Sequence, residues 1–244
     1  FTLHSEVWKG HIEHFFRDIE IRTLVVWLSV ILVAFVATLC AAKVYDDLPT
    51  LLRRAVFTVV AAFSSTGFQT ISVNQMTTVI SSGALLIIIF CMAVGGSAGS
   101  TTGGIKVLRI GVLVKELVAY IKDLLAPASA RQVVMYYHVG RRPLSHDLVR
   151  ANLVVLLLYG VAFLVTTIVT VTFGYAAAPS MFESVSMVSN IGMSCGIIQP
   201  GMPDPLKVLY IVDMWAGRLE YVTLIALLVS IIASIRPKRR VRAR

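Results

Sequence analysis

The feature that most constrains this chain is a run of 51 consecutive residues, 55–105, without a charged side chain. Further uncharged segments cover residues 23–42 and 151–182. A helix needs about 20 apolar residues to cross the hydrocarbon core of a bilayer, so residues 23–42 and 151–173 each fit one crossing. Only 14% of the residues are charged, against about 25% in soluble domains. The chain is therefore predicted to be a polytopic membrane protein.

The run at 55–105 is too long for one crossing, and its middle, residues 64–75, is polar. Two arrangements are compatible with this pattern. Either two full crossings meet in a tight hairpin, or a short helix dips into the membrane from one face and returns. Non-helical backbone is tolerated at membrane depth only where protein buries it or where it lines water. The second arrangement is favoured, because no charge holds the middle of the run at the surface.

A second irregularity lies between residues 79 and 122, where the pattern is helical but too long for one crossing. A continuous helix of that length would measure about 66 Å, against a hydrocarbon core of about 30 Å. Residues 95–104 include five glycines, and each costs a helix up to about 1 kcal/mol relative to alanine. We expect a break there, either as an intramembrane loop or as a linker that leaves residues 105–121 partly in the cytoplasm.

Basic side chains predict the orientation of the chain. Seventeen of the 22 Lys and Arg residues lie in the segments 9–22, 106–150 and 236–244. The positive-inside rule assigns these segments to the cytoplasm, so both termini of this segment are expected there and the dip enters from outside. The net charge of +9 is interpreted as a marker of topology, and no nucleic-acid partner is predicted. Residues 236–244 fit a solvated tail or an anionic-lipid anchor.

The chain also repeats itself at low identity. Residues 55–67 align with residues 180–192, with a phenylalanine, a serine and a glycine at matching positions. Residues 92–96 align with residues 214–218, with a methionine and a glycine at matching positions. We interpret the chain as two copies of one unit, consisting of a span, a short dip that ends in glycine, and a second span. The fold class that follows is all-α, with four crossings and two re-entrant pore helices.

The second dip carries a helix-start signal. Ser180 and Glu183 have the spacing of a capping box, which predicts Ser180 as the N-cap and Glu183 at the third helical position. The helix is expected to run to about Ser189 with its C-terminal end inside the membrane, where the negative end of its dipole favours a cation. The carbonyl groups of residues 190–194 would then be available to a dehydrated cation.

Taken together, these motifs resemble the Trk/Ktr/HKT superfamily of potassium transporters. Residues 64–68 are similar to the family's third filter segment, and residues 189–194 are similar to its fourth. Residues 94–106 resemble the glycine-rich intramembrane loop of the third repeat. Residues 214–220 resemble the inner helix of the fourth repeat with its arginine. Four motifs in the family's order make the resemblance specific, and it covers nearly the whole chain.

The resemblance implies a division of the chain and a set of partners. Members of the family carry four repeats around one pore with pseudo-fourfold symmetry, so this chain looks like the C-terminal half of a Trk-H-like membrane subunit. Its setting would be the lipid bilayer of the cytoplasmic (inner) membrane, with a ring of cytosolic nucleotide-binding regulatory subunits and a homodimer as assemblies. The implied parts are a cytoplasmic tail of the preceding repeat (1–22), a third-type repeat (23–125), a cytoplasmic linker (126–147), a fourth-type repeat (148–235) and a basic C-terminus (236–244).

The implied function is potassium uptake through a filter of backbone carbonyl groups, with K⁺ as the transported ion and no bound cofactor. A glycine in such a segment is most often a turn residue, but the lack of a Cβ also lets backbones approach one another closely. In the family, a glycine in every filter segment goes with a preference for K⁺, and two of the four segments are present. The expected filter residues are Ser65, Thr66, Gly67, Phe68, Asn190, Ile191, Gly192 and Met193, with K⁺ bound at Thr66, Gly67, Ile191 and Gly192.

The implied gate is the glycine-rich loop together with one arginine. An arginine at membrane depth costs at least about 2.5 kcal/mol and usually faces a cavity or a partner. Asp213 and Glu220 are poorly spaced to share a helical face with Arg218, so Arg218 is expected to face the pore axis or the loop. Lys106 fits either a loop contact or an interfacial position. The gate residues are Gly95, Gly96, Ser97, Ala98, Gly99, Ser100, Thr101, Thr102, Gly103, Gly104 and Arg218.

Three other functions fit parts of the pattern. Residues 95–99 match the G-x-S-x-G elbow of hydrolases, but no strand precedes them and no base is expected within reach, so no enzyme activity is predicted. A secondary transporter with broken helices would need an interruption within residues 206–235, where Gly217 is the single glycine, and a continuous helix is expected. A purely structural subunit would tolerate substitutions in the filter.

The histidines and cysteines predict no additional chemistry. The five histidines lack metal-ligand spacing and are expected at the surface. Cys40, Cys91 and Cys195 lie far apart in sequence and are expected to pack as small hydrophobic residues.

Overall fold

In the computed structural model, residues 12–78, 80–125, 134–138 and 140–235 are described, and nearly all of their regular structure is helical. The predicted all-α fold class is confirmed, since the short strands only close loops. The strands form a parallel pair, β1 (Val94–Gly95) with β2 (Ile105–Lys106), and an antiparallel pair, β3 (Met135–Tyr137) with β4 (Arg141–Pro143). The helices are α1 (Ile12–Arg17), α2 (Ile19–Ala41), α3 (Leu48–Phe63), α4 (Val73–Thr78), α5 (Ser82–Ala93), α6 (Val107–Leu125), α7 (His146–Thr172), α8 (Ala177–Val188), α9 (Asp204–Leu219) and α10 (Tyr221–Ile235).

Two of the described helices, α2 and α7, are long and apolar enough to cross a membrane. Both begin before their uncharged segments, because a polar side chain caps each start. Asp18 accepts a hydrogen bond from the backbone N–H of Glu20 at 2.8 Å, and Ser145 accepts one from Leu148 at 3.3 Å. The pair α9 and α10 is a third candidate if it counts as one bent span. Four crossings are expected from the sequence, but among the described residues only two of them correspond to single long helices.

The second span of the first repeat, residues 82–125, is interrupted where the glycines predict a break. Helix α5 ends at Ala93 and α6 begins at Val107, with the glycine-rich loop between them. The parallel pairing of Val94 with Ile105 and of Gly95 with Lys106 closes the base of this loop. The two halves of the segment are therefore joined by a short closed loop rather than by an open linker.

The second inner segment breaks as well, and the expectation of a continuous helix over 206–235 is wrong. Helices α9 and α10 meet at 99°, at Glu220, which has a left-handed φ of 60°. The carboxylate of Glu220 accepts a hydrogen bond from Nη2 of Arg109 on α6 at 2.6 Å, and this ion pair holds the corner. Gly217, the residue that the sequence singles out, remains helical within α9.

The predicted capping box at the start of α8 is also wrong. The helix begins at Ala177, with Ala176 as an N-cap that makes no side-chain hydrogen bond. Ser180 lies inside the helix, where its hydroxyl donates to the carbonyl of Ala176 at 2.8 Å. Glu183 is fully buried and binds backbone N–H groups beyond the helix. The end of α8 agrees with the prediction, since Val188 is its last residue and Ser189 its C-cap.

Helix α8 lies at the centre of the packing. It contacts α5, α7 and α9, and every residue from 182 to 189 is buried. Phe35 and Leu39 of α2 and Met92 of α5 are fully buried in the same core as Phe182. The outward faces of α2 and α7 carry exposed apolar side chains instead, as expected of helices that contact lipid. The second half of this short helix is therefore enclosed by its neighbours.

Some predicted parts fall wholly or partly outside the described residues. These include the basic C-terminus at 236–244, residues 1–11 of the tail at 1–22, and residues 126–133 and 139 of the linker at 126–147. The described second half of the linker forms the β3–β4 hairpin. Cys91 and Cys195 are buried as predicted, whereas Cys40 is exposed on α2.

Candidate ion pathway and gate

The two short helices α3 and α8 end in the same backbone conformation. Each is followed by a residue in the left-handed region, Ser65 with φ of 52° and Asn190 with φ of 55°. Two residues later, Gly67 and Gly192 adopt φ values of 77° and 87°. Such φ angles are strained for residues with a Cβ and open to glycine. The chain therefore turns twice at the end of each helix, in the same way.

The hydrogen bonds at these two ends correspond as well. The N–H of Thr66 donates to the carbonyl of Ala61 at 3.1 Å, and the N–H of Ile191 donates to the carbonyl of Ser186 at 2.9 Å. The amides of Ser65 and Asn190 likewise donate three residues back, at 3.4 and 3.0 Å. Corresponding positions differ by 125 in number, the offset found in the sequence. We call residues 65–68 and 190–193 the first and second filter segments.

The two filter segments lie against each other. A Cβ added to Gly67 would overlap the carbonyl oxygen of Ile191, whereas nothing lies within 4 Å of a Cβ added to Gly192. The amide side chain of Gln69 spans the two segments, since its Nε2 donates to the carbonyl of Ser194 at 2.9 Å and its Oε1 accepts from the N–H of Ser194 at 3.2 Å. The predicted filter residues of the two repeats are thus brought together.

Two buried side chains of α8, Glu183 and Ser186, bind the end of the second filter segment and the residues after it. One oxygen of Glu183 accepts hydrogen bonds from the hydroxyl of Ser194 at 2.5 Å and from the backbone N–H groups of Cys195 at 2.9 Å and Ile197 at 3.2 Å. The hydroxyl of Ser186 donates to the carbonyl of Met193 at 2.6 Å. Glu183 therefore stabilises residues 194–197, which follow the second filter segment. Its signal in the sequence is that it is the single charge between Arg150 and Asp204.

The glycine-rich loop, residues 95–104, lies at the ends of both short helices, and we call it the gate loop. The N–H of Gly96 donates to the carbonyl of Phe63, the last residue of α3, at 3.4 Å. A Cβ on Gly103 would overlap the carbonyl oxygen of Ser189 at the end of α8, and one on Gly104 would lie 3.2 Å from the Ser189 hydroxyl oxygen. The gate loop therefore approaches both filter segments at the residues where their helices end.

Two cationic side chains bind the gate loop. Nζ of Lys106 donates to the carbonyls of Ser100 and Thr102, both at 2.7 Å, and Lys106 is 6% exposed. Arg218 of α9 donates from Nη1 to the carbonyl of Thr101. Three successive carbonyl groups at the far end of the loop are therefore bound by positive charges. Of the two positions open to Lys106 in the sequence, the structure shows the loop contact.

The two acids that could have paired with Arg218 have other partners. Asp213 accepts a hydrogen bond from the hydroxyl of Thr166 on α7 at 2.5 Å, and Glu220 pairs with Arg109. Arg218 itself is exposed. Its contact with the gate loop is therefore not shared with either acid.

A third charged residue at the gate loop is missed by the sequence reasoning. Glu20, at the start of α2, accepts a hydrogen bond from the backbone N–H of Ala98 through its Oε1 at 2.5 Å. Its side chain is 3% exposed. The available signal is the pair of acids, Asp18 and Glu20, immediately before an uncharged span.

Glu20 also belongs to a cluster with Asp18 and His138, in which one ligand-type atom from each residue lies within 4.8 Å of the others. Nδ1 of His138 lies 3.2 Å from the nearer oxygen of Asp18 and 3.9 Å from Glu20. The expectation that all histidines lie at the surface is wrong for His138, whose side chain is 19% exposed. The reason is tertiary, because the β3–β4 hairpin brings His138 to two acids that precede it by more than a hundred residues.

Comparison with known proteins gives a consistent result. The sequence profile of the TrkH family, described as a cation transport protein, matches residues 8–235. An uncharacterized cation transporter of Methanocaldococcus jannaschii is 35% identical over 227 residues, which are 93% of this chain and 44% of that protein. The Trk system potassium uptake protein TrkH of Salmonella typhimurium is 28% identical over 232 residues, which are 93% of this chain and 46% of that protein.

The fold comparison agrees with the sequence comparison. The crystal structure of the potassium transporter TrkH from Vibrio parahaemolyticus superposes with a TM-score of 0.77 at 25% identity, covering 93% of this chain and 48% of that one. The chain therefore spans about half the length of the relatives it matches.

Proposed function

The chain belongs to the TrkH family of cation transport proteins, whose members are transporters and not enzymes, and from this premise we propose that it forms two of the four repeats of a K⁺ uptake pore. The observation that carries the proposal is the backbone geometry shared by residues 65–67 and 190–192 at the ends of two short helices. The relatives named for potassium uptake support K⁺ as the transported ion.

The proposed selectivity rests on main-chain chemistry. Helices α3 and α8 direct their C-terminal ends, the negative ends of their dipoles, toward the filter segments, where they favour a cation. The carbonyl groups of Thr66, Gly67, Ile191 and Gly192 replace part of the hydration shell of the ion. Side chains contribute indirectly, because Gln69 links the first repeat to Ser194 beside the second segment, and Glu183 binds the backbone that follows that segment.

The proposed gate is the gate loop with its bound charges. Lying at the ends of α3 and α8, the loop obstructs the route below the filter segments. Lys106 and Arg218 place positive charge in this route, which raises the electrostatic barrier for a cation, and their hydrogen bonds hold the loop in place. Opening the pathway requires these bonds to exchange for others. The chain would cross the cytoplasmic membrane with both described ends on the cytoplasmic side, in agreement with its distribution of basic residues.

The remaining components are proposed from the family. A complete pore needs two further repeats, which complete the ring around the filter. The full-length subunit would assemble as a homodimer and dock a cytosolic ring of nucleotide-binding regulatory subunits. The docked ring would open the gate loop by binding the open conformation of the subunit more tightly than the closed one. A ligand shifts an equilibrium only by its differential affinity for the two states.

A matched pair of glycines tests the filter. Gly192 and Gly174 have φ values of +87° and +92°, and neither has an atom within 4 Å of an added Cβ. Serine therefore imposes similar backbone strain at both positions, but only Gly192 lies in a filter segment. We expect Gly192→Ser to lower K⁺ uptake, or its preference over Na⁺, by at least about tenfold, while Gly174→Ser stays near wild type. The measurement is Rb⁺ and Na⁺ uptake by the full-length protein in cells without other K⁺ uptake systems.

Equal losses in the two serine variants would contradict the filter assignment, because the effect would then report backbone strain in general. Equal amounts of protein in the membrane must accompany the uptake values. Unchanged uptake and ion preference in Gly192→Ser would favour a purely structural role for this chain.

A further inference from the structure

A cavity of about 570 Å³ opens beside the start of α2, and we propose that it binds the phosphate of an anionic phospholipid headgroup. Four basic side chains line it: Arg17, Arg22, Lys115 and Arg141. They come from three separate parts of the fold, namely the α1–α2 corner, helix α6 and the β3–β4 hairpin. The other lining residues are Ile19 of α2 and Met135, Tyr136 and Tyr137 of the hairpin. This site goes beyond the proposed ion pathway and does not depend on it.

The charge of the cavity calls for an anion. No acidic side chain is among the described residues that line it. Arg17 lies 3.8 Å from Glu13, but both side chains are largely exposed, and such pairs contribute little. Arg22 donates from Nε to the carbonyl of Phe16 at 2.8 Å, which orients the guanidinium group and uses one of its five N–H donors. Cationic groups at this density repel one another, and a phosphate that accepts their hydrogen bonds offsets the repulsion.

Apolar surface beside the cavity distinguishes a lipid from a soluble anion. Arg22 lies one helical turn before Val25 and Val26, which are 54% and 63% exposed. Helix α6 runs in the opposite direction, from the gate loop toward the linker, and Val114, directly before Lys115, is 53% exposed. Helix α2 is long and apolar enough to span a membrane, which would place its first turns at headgroup depth and its next turns in hydrocarbon. A phospholipid can use both the charges and the apolar surface, whereas a free phosphate can use only the charges.

Basic pockets between spans at the cytoplasmic surface are recognised as sites for anionic headgroups. This cavity has a further property, because one wall is the hairpin that carries His138 toward Asp18 and Glu20. A lipid bound here would therefore contact the hairpin and both α2 and α6. The headgroup would fix the position of the hairpin relative to the start of α2.

The chain offers matched controls for the basic residues. Lys115 lines the cavity, whereas Lys122, one lysine further along α6, is exposed and does not. Arg141 lines the cavity, whereas Arg142 does not. Because successive strand residues point to opposite faces, the neighbouring arginine presents its charge elsewhere. Within each pair, the two substitutions remove one positive charge from the same element, but only one of the two residues lines the cavity.

The test measures lipid-dependent stability of the purified full-length protein in neutral detergent. Dioleoyl phosphatidylglycerol is titrated while the melting temperature is recorded, with dioleoyl phosphatidylcholine and inorganic phosphate as comparison ligands. We expect phosphatidylglycerol alone to raise the melting temperature of the wild type by about 2–4 °C. Lys115→Gln and Arg141→Gln should each need about fivefold more phosphatidylglycerol for half of this shift. Lys122→Gln and Arg142→Gln should behave like the wild type.

Two results would overturn the proposal. Equal weakening in all four variants would mean that a diffuse surface charge attracts the lipid and that the cavity binds none. An equal shift with millimolar inorganic phosphate, lost in Lys115→Gln, would identify a soluble anion as the ligand and overturn the lipid assignment. Arg141 is exposed on the hairpin, so its variant remains informative if Lys115→Gln fails to fold. The readout involves no ion flux, so its outcome is independent of the proposed function.

Discussion

Three charged residues from different elements bind the gate loop, and each engages a different backbone group. Lys106 and Arg218 bind carbonyl groups at the far end of the loop, and Glu20 binds the N–H of Ala98. Hydrogen bonds to charged groups are roughly twice as strong as neutral ones. A loop rich in glycine loses much conformational entropy when it is fixed, and these bonds offset that loss. The position of the loop therefore depends on three side chains that lie outside it.

Replacement of Glu20 by glutamine tests this dependence at a single residue. The amide keeps an acceptor for the Ala98 N–H but loses the charge, which weakens the bond by about 1 kcal/mol. If closed loops predominate, the open fraction, and with it the Rb⁺ flux of the full-length protein, should rise about fivefold. Glu13→Gln is the control, because this acid lies on α1 and its side chain is 86% exposed. An unchanged flux in Glu20→Gln, at equal protein level, would contradict a role for Glu20 in holding the loop.

At the scale of elements, the loops and breaks show what local sequence can and cannot predict. The break at 95–104 follows from glycine density, which acts locally on helix stability. The break at Glu220 depends on Arg109, more than a hundred residues earlier, and no local signal marks it. The capping box at Ser180 fails because Glu183 binds backbone groups after the second filter segment, at Cys195 and Ile197, and not the start of its own helix. Motif resemblance singles out Gly67 and Gly192, the glycines of the proposed filter, whereas the contact between their segments joins distant parts of the chain.

The fit of the gate loop against α8 can be tested with two glycines of the same loop. A Cβ on Gly103 would overlap the carbonyl of Ser189, whereas a Cβ on Gly99 meets nothing within 4 Å. Overpacking costs about 1–3 kcal/mol, so Gly103→Ala should displace the loop and raise ion flux by at least about fivefold. Gly99→Ala should leave flux unchanged. The measurement is Rb⁺ flux in proteoliposomes of the full-length protein, and equal flux in the two variants would refute the contact as a determinant of closure.

At the scale of the whole molecule, the two repeats are joined at their filter segments. Helix α8 packs on α5 of the first repeat, and the amide of Gln69 pairs with both main-chain groups of Ser194. The gate loop adds a second link, because Gly103 and Gly104 of the first repeat contact Ser189 of the second. The end of α8, where the second filter segment begins, is therefore packed against backbone of the first repeat.

Replacement of Gln69 by leucine tests the link between repeats. Leucine removes two hydrogen bonds and leaves the N–H and carbonyl of Ser194 without these partners, which costs about 1–3 kcal/mol. We expect a lower melting temperature of the full-length protein together with a reduced preference for K⁺ over Na⁺. Gln75→Leu is the control, because the Oε1 of Gln75 accepts a local hydrogen bond, from the backbone N–H of Ser72 at 3.3 Å. A variant that melts earlier but keeps its ion preference would show that the pair stabilises the fold without aligning the filter.

The pairing of Gln69 with Ser194 has a consequence for descent. The two positions are equivalent in the repeat, 125 residues apart, yet they contribute different atoms. Position 69 contributes a side chain with both a donor and an acceptor. Position 194 contributes its backbone N–H and C=O, a pair that every residue except proline carries. Copies of an ancestral unit can thus diverge at one site while the other stays constrained. In lineages that keep this contact, we expect it to limit substitutions at position 69 more strongly than at position 194.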